Sequence, residues 1–250
     1  MAATAGAAVL LLAACGASSP GSLHPGPAVG DAGRAEVYVA LGASETVGTG
    51  LNDEALRLRD TWAQLFFNEA LPRAATMYNL AVPGITTAAA QQSEVAPALT
   101  LHPTVATVFF TIDDLVAGVP ATDYETNLEV IVHAVRQGGR AIVLVGNAPH
   151  IDQLPAYRAC LSGSAFCPLA KGFSVPGPAA VNAMVDAYNA AVARVVAREG
   201  AVLVDVAAHA ADIANDPANI APDGLHPSPR GHAALAALFL GAYQAAVQRR

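Results

Sequence analysis

An aspartate stands three residues before a histidine in APDGLHPSPRGHAA, residues 221–234: these are Asp223 and His226. A carboxylate can fix the orientation of an imidazole. An oriented imidazole can take a proton from a nucleophile and later give it to a leaving group. Asp-x-x-His alone recurs by chance. The pair carries meaning only if the fold brings a nucleophile to the same place, so the elements that would position one come next.

Five short apolar runs read as buried strands: 36–41 (EVYVAL), 76–81, 105–111 (VATVFFT), 141–145 and 202–206. Helical stretches alternate with them. They cover 60–71 (capped by Asp60 or Thr61, with Pro72 after it), 87–99, 122–137 (closed by Gly138-Gly139), 179–199 (ended by Gly200) and 228–248. The stretch 151–176 lacks a clear period, and 212–223 reads as a loop. Apolar strands alternating with helices predict a five-stranded parallel sheet covered on both faces, an α/β/α sandwich of three layers. Sites in such sheets form beyond the carboxyl ends of the strands. The residues expected on that rim are Gly42-Ala43-Ser44-Glu45, Asn79 to Gly84, Thr111-Ile112-Asp113-Asp114, Asn147, and the loop with Asp223 and His226.

In this order the rim residues resemble the blocks of the SGNH hydrolases, also called the GDSL esterase/lipase family, over roughly residues 37–244. Gly42-Ala43-Ser44 matches the family's Gly-Asp-Ser, with Ala in place of Asp. Asn79 to Gly84, followed by Thr86 and Thr87, matches the second block. Asp223-Gly224-Leu225-His226-Pro227 matches Asp-x-x-His-Pro. The resemblance implies a flavodoxin-like fold in which Ser44 is the nucleophile, His226 the base and Asp223 its orienter. It also implies an oxyanion hole made by the N–H of Ser44, the N–H of Gly84 and an Asn side chain from the third block.

That block is met only in part, because position 113 is Asp. An ionised carboxylate donates no hydrogen bond and repels an oxyanion. Losing one such donor costs roughly 100- to 1000-fold in rate. Three readings are open. Burial and Asp114 could keep Asp113 protonated, so that it donates. Asp113 could turn away and leave two backbone donors. Or the site could be slow on ordinary esters. The expected activity is a serine esterase working through an acyl-enzyme on short acyl, lipid or acetylated-sugar esters. The alternative is a surface lipoprotein that mainly binds a ligand at a weakened oxyanion site. Leu154, Tyr157, Leu161, Phe166, Leu169 and Phe173 make 151–176 apolar, which favours an acyl-ester or lipid substrate. Asp114 is expected to brace its loop, Asn147 to line the rim or end a strand, and His232 to be structural or on the surface.

Composition supports a folded domain of this size. Of 250 residues, 54% are hydrophobic and only 13% are charged, which is too apolar for disorder. The net charge of −7 argues against nucleic acid as a partner. Residues 1–15 read as an export signal whose apolar core is too short to span a bilayer. Leu12-Ala13-Ala14-Cys15 resembles a bacterial lipobox, although no Lys or Arg precedes the apolar run. Cys15 is therefore the expected lipidation site, with export to the bacterial cell envelope as a lipid-anchored or a secreted protein. Residues 16–34 read as a flexible tether and 35–250 as the catalytic domain, expected to be a monomer. With Cys15 lipidated, Cys160 and Cys167 are left as a pair, and an exported location permits a disulfide between them. His24, His102, His133, His150 and His209 show no ligand spacing, so no metal and no cofactor is expected.

Overall fold

The computed structural model describes residues 36–110, 112–168 and 175–250, apart from the side chain at 212. The expectations placed on residues 1–34, with Cys15, and on Thr111, Leu169 and Phe173 fall outside these residues. Five parallel strands form one sheet in the order β2-β1-β3-β4-β5. They are β1 (Val37–Gly42), β2 (Thr76–Asn79), β3 (Val105–Phe109), β4 (Ile142–Gly146) and β5 (Val202–Val204).

The helices joining β1 to β2 are α1 (Ser44–Val47), α2 (Glu54–Asp60) and α3 (Trp62–Ala70). Between β2 and β3, α4 (Thr87–Ala90) runs through a π-helical turn (Gln91–Val95) into α5 (Ala96–Leu101). Next come α6 (Ile112–Val116) and α7 (Ala121–Arg136), and, past β4, α8 (Pro155–Leu161) and α9 (Pro178–Glu199). After β5 the chain forms α10 (Ala210–Ile213) and α11 (Pro229–Gln248).

Side chains alternate across the sheet, as a pleated strand requires. Val39, Leu41, Ala106, Val108, Val143 and Val145 pack beneath α7, α9 and the α4–α5 segment. Tyr38, Ala40, Val105, Phe109, Ile142 and Leu144 face α3 and α11 instead. These two cores make the three layers that the strand pattern predicts. On the second face Trp62 stacks on Phe239 with centroids 4.2 Å apart and meets Phe109 edge-on at 5.9 Å. The aromatic contact ties α3 and α11 to the last residue of β3, just below the rim.

Local chemistry explains where the elements differ from the sequence reading. The helix expected over 60–71 is α3, and a further short helix, α2, precedes it. Asp53 caps α2 through the Ala55 N–H, and Thr61, extended at its own ψ, caps α3 through the Gln64 N–H. The second strand stops at Asn79, whose side chain turns to cap other backbone groups rather than continue the ladder. Residues 151–176 contain a helix after all: Pro155 opens α8 at its first turn, where its missing N–H is not needed. The expected 212–223 loop overlaps α10 and a 3-10 turn at Pro217–Asn219. Cys160 and Cys167 form a disulfide that closes the loop after α8.

Candidate active site

The Asp223–His226 turn is built by its own backbone. The Ala221 N–H donates to the His226 carbonyl at 2.8 Å, and the Gly224 N–H donates to the Ala221 carbonyl at 2.9 Å. The carbonyl of Gly224 also accepts from the Ala156 N–H at 3.0 Å, which fastens the turn to α8. Ser228 then caps α11 through the Gly231 N–H at 3.2 Å. Within the turn, Asp223 Oδ1 accepts from the N–H groups of Leu225 (2.9 Å) and His226 (3.0 Å). Asp223 Oδ2 meets His226 Nδ1 at 2.8 Å. Burial pushes the Asp223 carboxyl up, but the two N–H donors and the imidazole outweigh it and hold the group below its usual range. Asp223 is therefore a carboxylate at neutral pH, and Nδ1 of His226 is the protonated nitrogen facing it. That leaves Nε2 as the basic nitrogen.

Ser44 stands at the first position of α1, directly beyond β1. Its hydroxyl donates to Glu45 Oε2 at 3.3 Å, and among the described residues Ser44 forms no hydrogen bond with His226. The segment that follows Ser44 packs on the histidine turn. Gly50 has φ of 99°, and a Cβ there would lie 2.4 Å from the Pro227 carbonyl and 3.0 Å from His226 Cβ. Asn79 links the second loop to the first, its Nδ2 donating to the Thr46 carbonyl at 2.7 Å.

Gly84 adopts φ of 74°, and no atom lies within 4 Å of where its Cβ would be. Its conformation, rather than crowding by the protein, is what selects glycine there. The Gly84 loop is clamped to the third loop by Asp114, which is fully buried. One oxygen of Asp114 accepts from the Thr87 N–H at 2.8 Å and the other from the Thr87 hydroxyl at 2.7 Å. Asp114 thus braces the loop, as expected. Its neighbour Asp113 is half-buried and interacts electrostatically with Glu45, Asp114 and His226. Burial first, then Glu45 and Asp114, push the Asp113 carboxyl up to about 6 against the pull of His226.

Two further residues brace the rim. Asn147 donates to Asp205 Oδ1 at 2.8 Å and accepts from the Ala207 N–H at 2.9 Å, so it joins the ends of β4 and β5. His232 is fully buried, its Nδ1 accepting from the Trp62 N–H at 3.3 Å. Burial lowers it to about 4, so it stays neutral and structural. The sequence reading missed Glu45 as the acceptor for Ser44. It also missed Glu94, a fully buried carboxyl that accepts from the N–H groups of Gly42 and Val82. Glu94 lies four residues from both Ala90 and Ala98, which are buried on the same helical segment, but that burial is visible only in the structure.

Beside the turn opens a cavity of about 420 Å³ whose walls are almost wholly apolar. Ile112 and Leu225, the neighbours of Asp113 and His226, form its inner edge, and Leu154, Tyr157, Cys160 and Met184 lie along it. Of the apolar side chains expected here, Leu154 and Tyr157 do line the cavity. Phe166 is 88% exposed and Leu161 45% exposed, and neither is among the lining residues. Both lie at or beyond the end of α8, on the loop the disulfide closes, and point outward.

The sequence profile of the GDSL-like lipase/acylhydrolase family matches residues 40–234. The chain belongs to this family and is a carboxylic ester hydrolase. No curated protein matches it by sequence. Solved structures share its fold. The psychrotrophic esterase EstA from Pseudoalteromonas sp. superposes with a TM-score of 0.60 at 15% identity, over 85% of this chain and 99% of the esterase. The lipase/acylhydrolase from Enterococcus faecalis gives 0.59 at 17% identity, over 84% and 96%. The extracellular lipase from Streptomyces rimosus gives 0.56 at 18%, over 83% and 100%.

The contact between Gly50 and the histidine turn yields a prediction. Gly50→Ala must displace Pro227 and His226, and displacements of about 1 Å at a reacting group cost on the order of 100-fold. Ester turnover is expected to fall by about that factor while far-UV circular dichroism stays unchanged. Wild-type turnover in Gly50→Ala would contradict the placement of the turn.

Proposed function

We propose that the protein is an exported serine esterase for esters with an apolar acyl chain. Ser44 attacks the ester carbonyl, and His226 Nε2 takes the hydroxyl proton and passes it to the leaving alcohol. Water then attacks the acyl-enzyme with His226 again as base, releasing the acid and restoring Ser44. Asp223 orients the imidazole and stabilises its charged form. The observation that carries this reading is the Asp223–His226 bond at 2.8 Å, with the second carboxylate oxygen fixed by two backbone donors. For the relay to run, Ser44 exchanges Glu45 for His226 as its acceptor.

The tetrahedral oxyanion is received by the N–H groups of Ser44 and Gly84 and by the protonated carboxyl of Asp113. Burial, Glu45 and Asp114 favour that neutral form. Below a pKa of about 6 Asp113 carries a proton to donate; above it, the carboxylate repels the developing charge. Asp113→Asn supplies a donor at every pH. It is expected to raise kcat at pH 8 by at least about 10-fold, with little gain at pH 5. An equal gain at both values, or a loss, would contradict the neutral-donor role.

The cavity supports an acyl chain over an acetylated sugar, since sugar hydroxyls would find almost no polar partner on its walls. Each buried methylene contributes about 0.8 kcal/mol, roughly fourfold in kcat/KM. Across p-nitrophenyl esters from acetate to decanoate, kcat/KM is expected to climb by about that factor per carbon until the cavity is full. Ser44→Ala is expected to abolish the activity. A flat series, or a preference for acetate or acetylated sugars, would refute the substrate class, and persistent activity in Ser44→Ala would refute the nucleophile. Export accords with the Cys160–Cys167 disulfide, a bond typical of oxidising compartments; lipidation at Cys15 rests on the Leu12-Ala13-Ala14-Cys15 motif alone.

A further inference from the structure

The rim contains an acidic side chain that the proposed reaction does not use. Glu94 is fully buried, in the π-helical turn between α4 and α5. Burying a carboxyl is expensive unless its oxygens are engaged. Here Oε2 accepts from the Gly42 N–H at 2.9 Å and Oε1 from the Val82 N–H at 3.2 Å. The Val82 N–H is shared with the Gly42 carbonyl at 3.1 Å, so three groups converge at one point. Gly42 lies two residues before Ser44, and Val82 two residues before Gly84. These are the two segments that supply the backbone donors of the proposed oxyanion hole.

We infer that Glu94 is a positioning residue: its two carboxyl oxygens fix the separation of the Ser44 and Gly84 loops, and hence the width of the oxyanion hole. The inference rests on the serine-esterase reading given above. β1 and β2 pair as strands as far as Ala40 and Asn79; beyond that point only the Leu80 N–H to the Ala40 carbonyl (2.9 Å) and the shared Val82 N–H to the Gly42 carbonyl (3.1 Å) join the two backbones. Glu94 reinforces these last backbone contacts from outside the sheet, holding the Gly42 N–H, which no carbonyl of β2 receives, together with the Val82 N–H. The π-helical turn serves the same end. Its extra residue shifts the helical register between Ala90 and Ala98, and such turns recur at functional sites.

Glu94→Gln is the discriminating variant because it preserves shape and packing. Burial pushes Glu94 up to about 8, so the comparison is made at pH 9, where both carboxylate oxygens accept; an amide offers one acceptor and one donor, so it can receive only one of the two N–H groups and opposes the other. A residue that merely fills the core tolerates this change with kcat intact. A positioning residue does not: kcat for p-nitrophenyl hexanoate is expected to fall about 100-fold with KM within about twofold, since the donors are lost mainly in the transition state. Hydrogen exchange at the Gly42 and Val82 amides is expected to accelerate in the same variant. Wild-type kcat in a folded Glu94→Gln protein would overturn the inference.

Amide exchange also separates this inference from the reading beneath it. Wild-type protein that hydrolyses no ester defeats the esterase, while the exchange comparison still decides on Glu94. Equal protection in both proteins overturns the clamp. Should Glu94→Gln fail to fold, the wild-type protein carries the test. Burial pushes Glu94 up to about 8, and no charged side chain is among the causes of that shift. The Gly42 and Val82 amide resonances are expected to titrate with one shared midpoint. Independent midpoints, or no titration, would overturn the inference.

Discussion

Everything at the rim depends on β1 pairing in parallel between β2 and β3. Neighbouring strands lie about 4.8 Å apart, so the loops that leave them at the same end emerge side by side. The register Ala40↔Asn79 and Gly42↔Phe109 sets the heights at which Ser44, the Gly84 loop and Asp113 begin. Parallel pairing also forces the chain to return through a helix each time, and those helices bury both sheet faces. A one-residue slip in β1 would turn Tyr38 and Ala40 into the wrong core and move Ser44 away from its partners.

Beyond the last paired residue, carboxyl groups reinforce the few remaining backbone bonds. Asp114 ties the third loop to Thr87, Asp223 ties its own turn and its imidazole, and Glu94 ties the first loop to the second. Each receives backbone N–H donors, the partners that make a buried carboxyl tolerable. Asp113 and Glu45 differ, because neither is engaged by such a pair of donors. Their mutual repulsion, added to burial, is what keeps a proton on Asp113 at mildly acidic pH. Different neighbours set the two carboxyls: backbone donors and His226 keep Asp223 ionised, while burial, Glu45 and Asp114 favour the proton on Asp113, and the two roles require those opposite states.

The fold was legible because it rests on strong, repetitive signals. Five apolar runs separated by helical stretches led directly to the parallel sheet, and the Gly200 helix stop fell where its αL conformation places it. The residues of the candidate site were legible as short motifs behind strand ends, and the structure places Ser44, Gly84, Asp113 and the Asp223–His226 pair on the rim. The sequence concealed one long-range contact and two local features. Glu94 reads as one acid in an Ala-rich helix, and only the fold shows its oxygens reaching Gly42 and Val82, 52 and 12 residues away. Glu45 looked like a neighbour of the nucleophile rather than its hydrogen-bond acceptor. The helix over Pro155–Leu161 was hidden because a short segment carries too few apolar repeats to show a period.

The most direct test is a crystal structure of the protein after reaction with an alkyl fluorophosphonate at pH 5.5. The expected result is phosphorus bonded to Ser44 Oγ, with the phosphoryl oxygen about 2.7–3.1 Å from the N–H groups of Ser44 and Gly84 and from the Asp113 carboxyl. His226 should face the leaving-group side with its bond to Asp223 intact. Phosphorus on another residue, or a phosphoryl oxygen with Asp113 turned away from it, would contradict the site as assigned.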